Sequence, residues 1–205
     1  MIKLKNNNNI KNNQIIFNSF LGNYLIFFID KKIKISNNIK IKIHNNKNLE
    51  IIGPLGKNNL FFFHKLNILL NNNYILFNFN LENKINEKKS ILNLYDSLIK
   101  LKIKGVLQGF KINLFLNGIG YKFFIENDNL ILKLGFSHNI TIKIPKNIKI
   151  INQTNQIILT SIDWIELTQF VHLIKSYKKT EPYKGKGILL KNEKILRKEG
   201  KKSKK

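Results

Sequence analysis

The chain has 205 residues, 43% of them hydrophobic, and carries 36 Lys+Arg against 12 Asp+Glu for a formal net charge of +24. That apolar content can fill packed cores and excludes wholesale disorder, while the length allows one large domain or two small ones. The absence of cysteine excludes a disulfide framework and any thiolate metal site.

So large a cationic surplus repels itself unless a polyanion neutralises it. Nucleic acid is therefore the expected partner, with an anionic membrane surface second. Arg197 is the only arginine, and Asn, Lys, Ile and Phe crowd the sequence. Lysine serves diffuse phosphate neutralisation about as well as arginine does, so the bias points to the gene: these four residues have codons rich in A and T. A very A+T-rich genome, such as that of a mitochondrion or plastid, is the expected source.

In chain order, the first dozen residues, with Asn6 to Asn9 in a row, read as a mobile polar arm. The apolar stretch from Ile15 to Ile29 imitates a signal peptide but is interrupted by Asn18, Ser19, Gly22 and Asn23. It is also short of the roughly 20 apolar residues of a membrane-spanning helix. The Arg- and Ser-rich leader of an imported mitochondrial precursor is missing, as expected for a protein made inside the organelle. Ile33, Ile35, Ile39, Ile41 and Ile43 then alternate with polar residues and predict a strand facing one way. A polar turn from His44 to Asn48 leads into a return strand at Leu49, Ile51 and Ile52, and Gly53-Pro54-Leu55-Gly56 breaks the chain. Further strands are predicted around Leu60 to Phe63, Leu66 to Leu70 and Tyr74 to Leu81.

The period then changes. Ile91, Leu94, Tyr95, Leu98 and Leu101 predict one face of an amphipathic helix, with Ser90 as its N-cap and Gly105 as its stop. Strands resume at Ile112 to Leu116, Tyr121 to Ile125, Leu130 to Leu134, Ile140 to Ile144, Ile148 to Ile150 and Ile157 to Leu159, with a polar turn at Asn152 to Asn155. Asp163 and Glu166 form a capping-box-like start for a second helix with Trp164, Leu167, Phe170, Val171 and Ile174 on one face. Strands then a helix, twice over, predict an α+β fold of two tandem similar domains. Each is a mainly antiparallel sheet with one packed helix, and a basic C-terminal tail comes last. The hairpin and break of the first half answer to Lys149 to Ser161 in the second. The expected boundaries are 1–32 for an N-terminal extension, 33–108 and 109–183 for the two domains, and 184–205 for the tail.

Catalytic readings fail on spacing. Gly118-Ile119-Gly120 lacks the third glycine of a dinucleotide loop, and Lys184-Gly185-Lys186-Gly187 lacks the Gly-Lys-Ser/Thr ending of a P-loop. The first is better read as a tight bend between strands. Ser137-His138 would point to opposite faces if they lie on a strand, so they make no nucleophile–base pair. Histidines 44, 64, 138 and 172 are too dispersed for a zinc motif. No metal, cofactor or small-molecule substrate is expected, and no enzymatic activity.

The most informative stretch is Glu181-Pro182-Tyr183-Lys184-Gly185-Lys186-Gly187-Ile188, continued by Arg197-Lys198-Glu199-Gly200-Lys201-Lys202. Glycines alternating with lysines suit close approach to a phosphate backbone, and Pro182 biases Glu181 toward extended chain. A lysine run at a chain end is often only a solvated terminus. Here the glycine alternation and a preceding core helix favour a binding site. The candidate nucleic-acid-binding residues are Tyr183, Lys184, Gly185, Lys186, Gly187, Lys191, Arg197, Lys198, Lys201 and Lys202, with Tyr183 able to stack on a base or to cap the core.

This segment resembles the C-terminal signature of the ribosomal protein L6 family of the large subunit. Gly105-Val106, Gly109-Phe110, Leu116-Asn117-Gly118-Ile119-Gly120-Tyr121 and Gly135-Phe136-Ser137-His138 agree with that family in order and spacing. The resemblance spans residue 33 to the end and is specific in the second half. It implies two tandem domains and a non-enzymatic structural protein of the large subunit. It also implies large-subunit rRNA as partner near the sarcin–ricin loop, with neighbouring ribosomal proteins and translation factors alongside. In the family the residue after Gly187-Ile188 is usually basic, whereas Leu189 and Leu190 stand here. The expected location is the mitochondrial ribosome in the matrix, with the plastid ribosome as alternative. Two rivals are an RNA-modifying or RNA-cleaving enzyme, for which no acid–base cluster is visible, and a membrane-surface protein using Ile15 to Ile29.

Overall fold

In a computed structural model of the chain the described residues are 14–18, 24–28, 31–44, 48–63, 66–71, 74–79, 85–153 and 156–200. The chain divides into two units, residues 1–107 and 108–205. The N-terminal arm and the turn residues 45–47 and 154–155 lie outside the described residues.

In the first unit, β1 (Gln14–Asn18) and β2 (Tyr24–Phe28) form an antiparallel hairpin within the stretch that imitates a signal peptide. Among the described residues no helix is long and apolar enough to cross a membrane. Strand β3 (Lys31–Lys34) joins β7 (Leu66–Asn71) and β8 (Tyr74–Phe79) in the order β3-β8-β7. Strands β4 (Lys40–His44), β5 (Asn48–Gly53) and β6 (Gly56–Phe61) form a second antiparallel sheet. Helix α1 (Ile85–Gln108) closes the unit. The core gathers Leu49, Ile51, Ile75, Tyr95, Ile99 and Val106, all nearly or fully excluded from solvent.

Three expectations for this unit need correction. The alternating run 33–43 is two strands in different sheets, because the chain turns at 36–38, where the Ile39 amide donates to the Ser36 carbonyl at 3.1 Å. Ser90 and Gly105 both lie inside α1, since the helix-forming run Glu87-Lys88-Lys89 extends it N-terminally. The helix instead ends before Gly109, whose φ of 69° is the left-handed conformation of a C-terminal cap. The buried stripe is Leu92, Tyr95, Ile99, Lys102 and Val106, and Leu94 is exposed. Lys102 disguises that stripe: its stem is buried while its ammonium donates to Asn58 Oδ1 at 2.9 Å.

In the second unit, β9 (Phe110–Asn117), β13 (Ile148–Gln153), β14 (Gln156–Ser161) and β15 (Gly187–Leu190) form one antiparallel sheet in the order β13-β14-β9-β15. Strands β10 (Lys122–Glu126), β11 (Asn129–Lys133) and β12 (Ile140–Lys143) form another. Helix α2 (Trp164–Tyr177) contributes Leu167, Phe170, Val171 and Ile174 to a core shared with Leu114, Phe123, Leu132, Ile142, Leu159 and Ile188 from both sheets. Asn152 Nδ2 donates to the Phe123 carbonyl at 2.9 Å and ties β13 to β10. Asp163 caps α2 by accepting the Ile165 amide at 3.0 Å, but Glu166 turns to Asn147 rather than completing a capping box.

From β3 onward in the first and from β9 in the second, the two units share a plan: an opening strand, a three-stranded sheet, then a hairpin and a helix. By that order β4-β5-β6 answers to β10-β11-β12, and β7-β8 to β13-β14. The expected match of the first hairpin with Lys149 to Ser161 is therefore displaced by one supersecondary element.

Candidate nucleic-acid interface

Helix α2 ends at Tyr177 with Lys178 as C-cap, and the chain then enters a clipped turn rather than a loose tail. The Gly185 amide donates to the Glu181 carbonyl at 3.0 Å, and the Glu181 amide donates to the Lys186 carbonyl at 2.8 Å. Gly185 takes a φ of 69°, which favours glycine. The Ile188 amide then donates to the Lys178 carbonyl at 3.1 Å, satisfying one of the orphan acceptors at the helix end.

Residues 187–190, inside the segment expected to be tail, form β15, with Ile188 opposite Leu116 and Leu190 opposite Leu114. Ile188 and Leu189 are buried. The apolar triplet Ile188-Leu189-Leu190 is the sequence signal for this strand, masked by the lysines on either side.

Glycine 187 has an internal cause. A Cβ there would stand 2.7 Å from the Lys179 carbonyl oxygen and 2.9 Å from Thr180 Cα, at a φ of 138°. Both glycines of the turn are buried, and it is the protein's own chain that crowds Gly187. The reason for glycine is therefore internal packing, where sequence alone suggests close approach to a phosphate backbone.

After β15 the chain folds back. The Lys198 amide donates to the Pro182 carbonyl at 3.0 Å, and the Ile195 side chain and Arg197 guanidinium lie over Gly185. Tyr183, Lys184, Lys191, Arg197 and Lys198 are exposed around this double layer, and Lys186 is half-buried. Lys201 and Lys202 lie outside the described residues.

A clamp that sequence reading missed fixes the return. Glu193 accepts from the Lys175 ammonium at 2.5 Å and from the Leu190 amide at 3.1 Å. Partial burial disfavours its charged form, but these two donors and the nearby Lys175 charge outweigh that and hold its carboxyl below the usual value. The partners are 18 residues apart, so no local spacing rule could have paired them.

The other motifs resolve as structure. Gly118-Ile119-Gly120 is a turn between β9 and β10, with the Tyr121 ring 2.6 Å from where a Gly118 Cβ would stand. Ser137 and His138 lie in a bend rather than a strand, so the expected separation does not apply: Ser137 Oγ is 3.4 Å from His138 Nδ1, both exposed. Among the described residues no group of His, Asp or Glu is arranged to hold a metal ion.

Fold and surface together define a twice-built α+β protein whose distinctive exposed chemistry is a cationic turn closed by backbone hydrogen bonds. The profile of the family described as Ribosomal protein L6 matches residues 117–190. The large ribosomal subunit protein uL6 of Karelsulcia muelleri (strain GWSS) is 41% identical over 179 residues, covering 84% of this chain and 96% of that protein. The uL6 of Phytoplasma mali (strain AT) is 37% identical over 86% of this chain and 97% of its own length. The uL6c of Thalassiosira pseudonana is 41% identical over 125 residues, covering 60% of this chain and 67% of that protein. The chain belongs to the uL6 family of ribosomal proteins, and it is not an enzyme.

Proposed function

We propose that this protein is a structural constituent of the large ribosomal subunit and binds large-subunit rRNA through its second unit. The observation that carries the reading is the doubly clipped turn at 181–187, which presents Lys184 and Lys186 from a hydrogen-bonded backbone on a folded surface. Lys184, Lys186, Lys191, Arg197 and Lys198 neutralise rRNA phosphates, and Lys201 and Lys202 extend the same charge. The backbone of Gly185 and Gly187 shapes the turn that presents them, and Tyr183 stacks on a base or ribose. Recognition is of RNA shape and backbone, since lysine is a point charge on a flexible stem. As the family resemblance implies, we assign the protein to the factor-binding region near the sarcin–ricin loop, beside neighbouring large-subunit proteins.

We further propose that the gene is organellar and the ribosome mitochondrial, supported by the single arginine and the wealth of Asn, Lys, Ile and Phe. The similarity to the Thalassiosira pseudonana uL6c supports a plastid ribosome as the second reading. The test is sedimentation of organelle extracts through a high-salt sucrose gradient. Co-migration of the chain with the mitochondrial large subunit is expected. Co-migration with the plastid subunit selects the second reading, and release as a free or membrane-bound species would contradict both.

A further inference from the structure

A second exposed site combines an aromatic ring with a cation. Phe136, in the bend between β11 and β12, is 45% exposed, and Lys178 Nζ lies 4.6 Å from its ring centroid. The pair does not float. Gly135, at a φ of 74°, packs against the Tyr121 ring, with 3.1 Å between that ring and the position a Cβ would take. Gly118 packs against the same ring, so one tyrosine pins both the 135–138 bend and the β9–β10 turn. Lys178 is the C-cap of α2, and its carbonyl receives the Ile188 amide. The ring is therefore joined through one residue to the strand that leaves the cationic turn.

An ammonium held over a ring keeps its N–H groups for another acceptor while losing much of its freedom, so less order remains to be imposed on binding. An exposed aromatic ring beside a fixed cation is what an unstacked base and its phosphate require. Ser137 and His138 add exposed hydrogen-bonding groups next to it. One partly exposed ring among polar residues is too small an apolar patch for a lipid surface.

We propose that Phe136 and Lys178 form a second RNA contact, continuous with the 181–187 turn, in which Lys178 takes a phosphate and Phe136 an unstacked base. This inference rests on the reading of the chain as an rRNA binder. It narrows the partner to a segment with an unpaired nucleotide a short distance from the helical backbone gripped by the turn.

The experiment measures binding of the full chain to transcribed large-subunit rRNA over a salt series, with nucleotide-resolution chemical probing. Phe136→Leu is expected to weaken binding about tenfold at every salt concentration and to unprotect one unpaired nucleotide. Phe136→Tyr keeps the ring and is expected to bind as wild type does, which separates stacking from a folding defect. Lys178→Gln is expected to lower the salt slope by roughly 0.7 to 0.9. Wild-type affinity and protection in Phe136→Leu, with an unchanged slope in Lys178→Gln, would overturn the inference; a lower slope in a Lys184→Gln/Lys186→Gln variant would then leave the rRNA reading standing. A wild-type chain with no preference for rRNA over heparin would overturn both.

Discussion

Apart from the β1–β2 hairpin of the first, the two units are the same construction with one addition. In each, an opening strand lies beside a later hairpin, β3 beside β8 and β7, β9 beside β14 and β13, and a helix comes after. Their charge is also matched: residues 1–107 carry 17 Lys+Arg against 5 Asp+Glu and residues 108–205 carry 19 against 7, a surplus of 12 in each. What differs is the far edge of the opening strand. Among the described residues β3 pairs only with β8, whereas β9 gains β15, and β15 brings the cationic turn with it. Net charge names the class of partner but does not locate the site. The site we propose lies where backbone hydrogen bonds fix the turn that carries the lysines.

The helix ends repeat the lesson. In the first unit the Leu55 amide donates to the Val106 carbonyl at 3.2 Å, and Gly53 packs against Val106. In the second the Ile188 amide meets the Lys178 carbonyl, and Gly187 packs against Lys179 and Thr180. The first uses a glycine to bring a strand end onto the last turn of a helix, the second to bring one onto the residues just past the helix end. One turn carries an exposed leucine, the other lysines, so the same device supports different surfaces.

Core truncations set the largest effect and test whether the two cores are equally committed. Ile51→Ala and Leu159→Ala, each at a fully buried position, are expected to cost about 2–5 kcal/mol in denaturant unfolding. A loss under about 1 kcal/mol at either site would break the equivalence. Next come the paired glycines. Gly187→Val combines a 2.7 Å backbone clash with a positive φ and is expected to cost about 3 kcal/mol. Gly53→Ala, where the clash is 2.8 Å, is expected to cost about 2 kcal/mol. Gly120→Ala, with nothing within 4 Å, should cost only about 1 kcal/mol of conformational strain.

Ion pairs give the smaller effects. The Glu193 carboxyl is held below its usual value near 4.5, so its contribution is present above that pH and is lost as pH falls through the lower folded-state value. Glu193→Gln is therefore expected to cost up to about 1 kcal/mol near neutral pH, with the difference from wild type closing in acid. A gap that widens below pH 4.5 would contradict the clamp. In the first unit, Asp96 and Lys100 pair at 2.9 Å one helical turn apart, and Asp96→Asn should cost only about 0.3–0.5 kcal/mol.

Most of the architecture was legible, because alternating isoleucines and a change to helical period are local signals. The misreadings arose where a long-range contact overrides the local one. Lys102 breaks the apolar stripe of α1 because its amine finds Asn58, 44 residues away in sequence. Lysines framing Ile188-Leu189-Leu190 hid β15, which exists because β9 offers an open edge. For the candidate site, the lysines and glycines were visible, but the folding-back of Arg197 over Gly185 and Lys198 onto Pro182 and the Lys175–Glu193 clamp were not. Both depend on where the chain returns in space, which spacing does not encode.

The most direct measurement is the salt dependence of rRNA binding by the full chain and by the Lys184→Gln/Lys186→Gln variant. The variant is expected to fold with unchanged stability and to lose roughly 1.4 to 1.8 from the log–log slope, about 0.7 to 0.9 for each phosphate released. A variant that keeps the wild-type slope, or unfolds while keeping it, would contradict the assignment of the turn as the rRNA-binding surface.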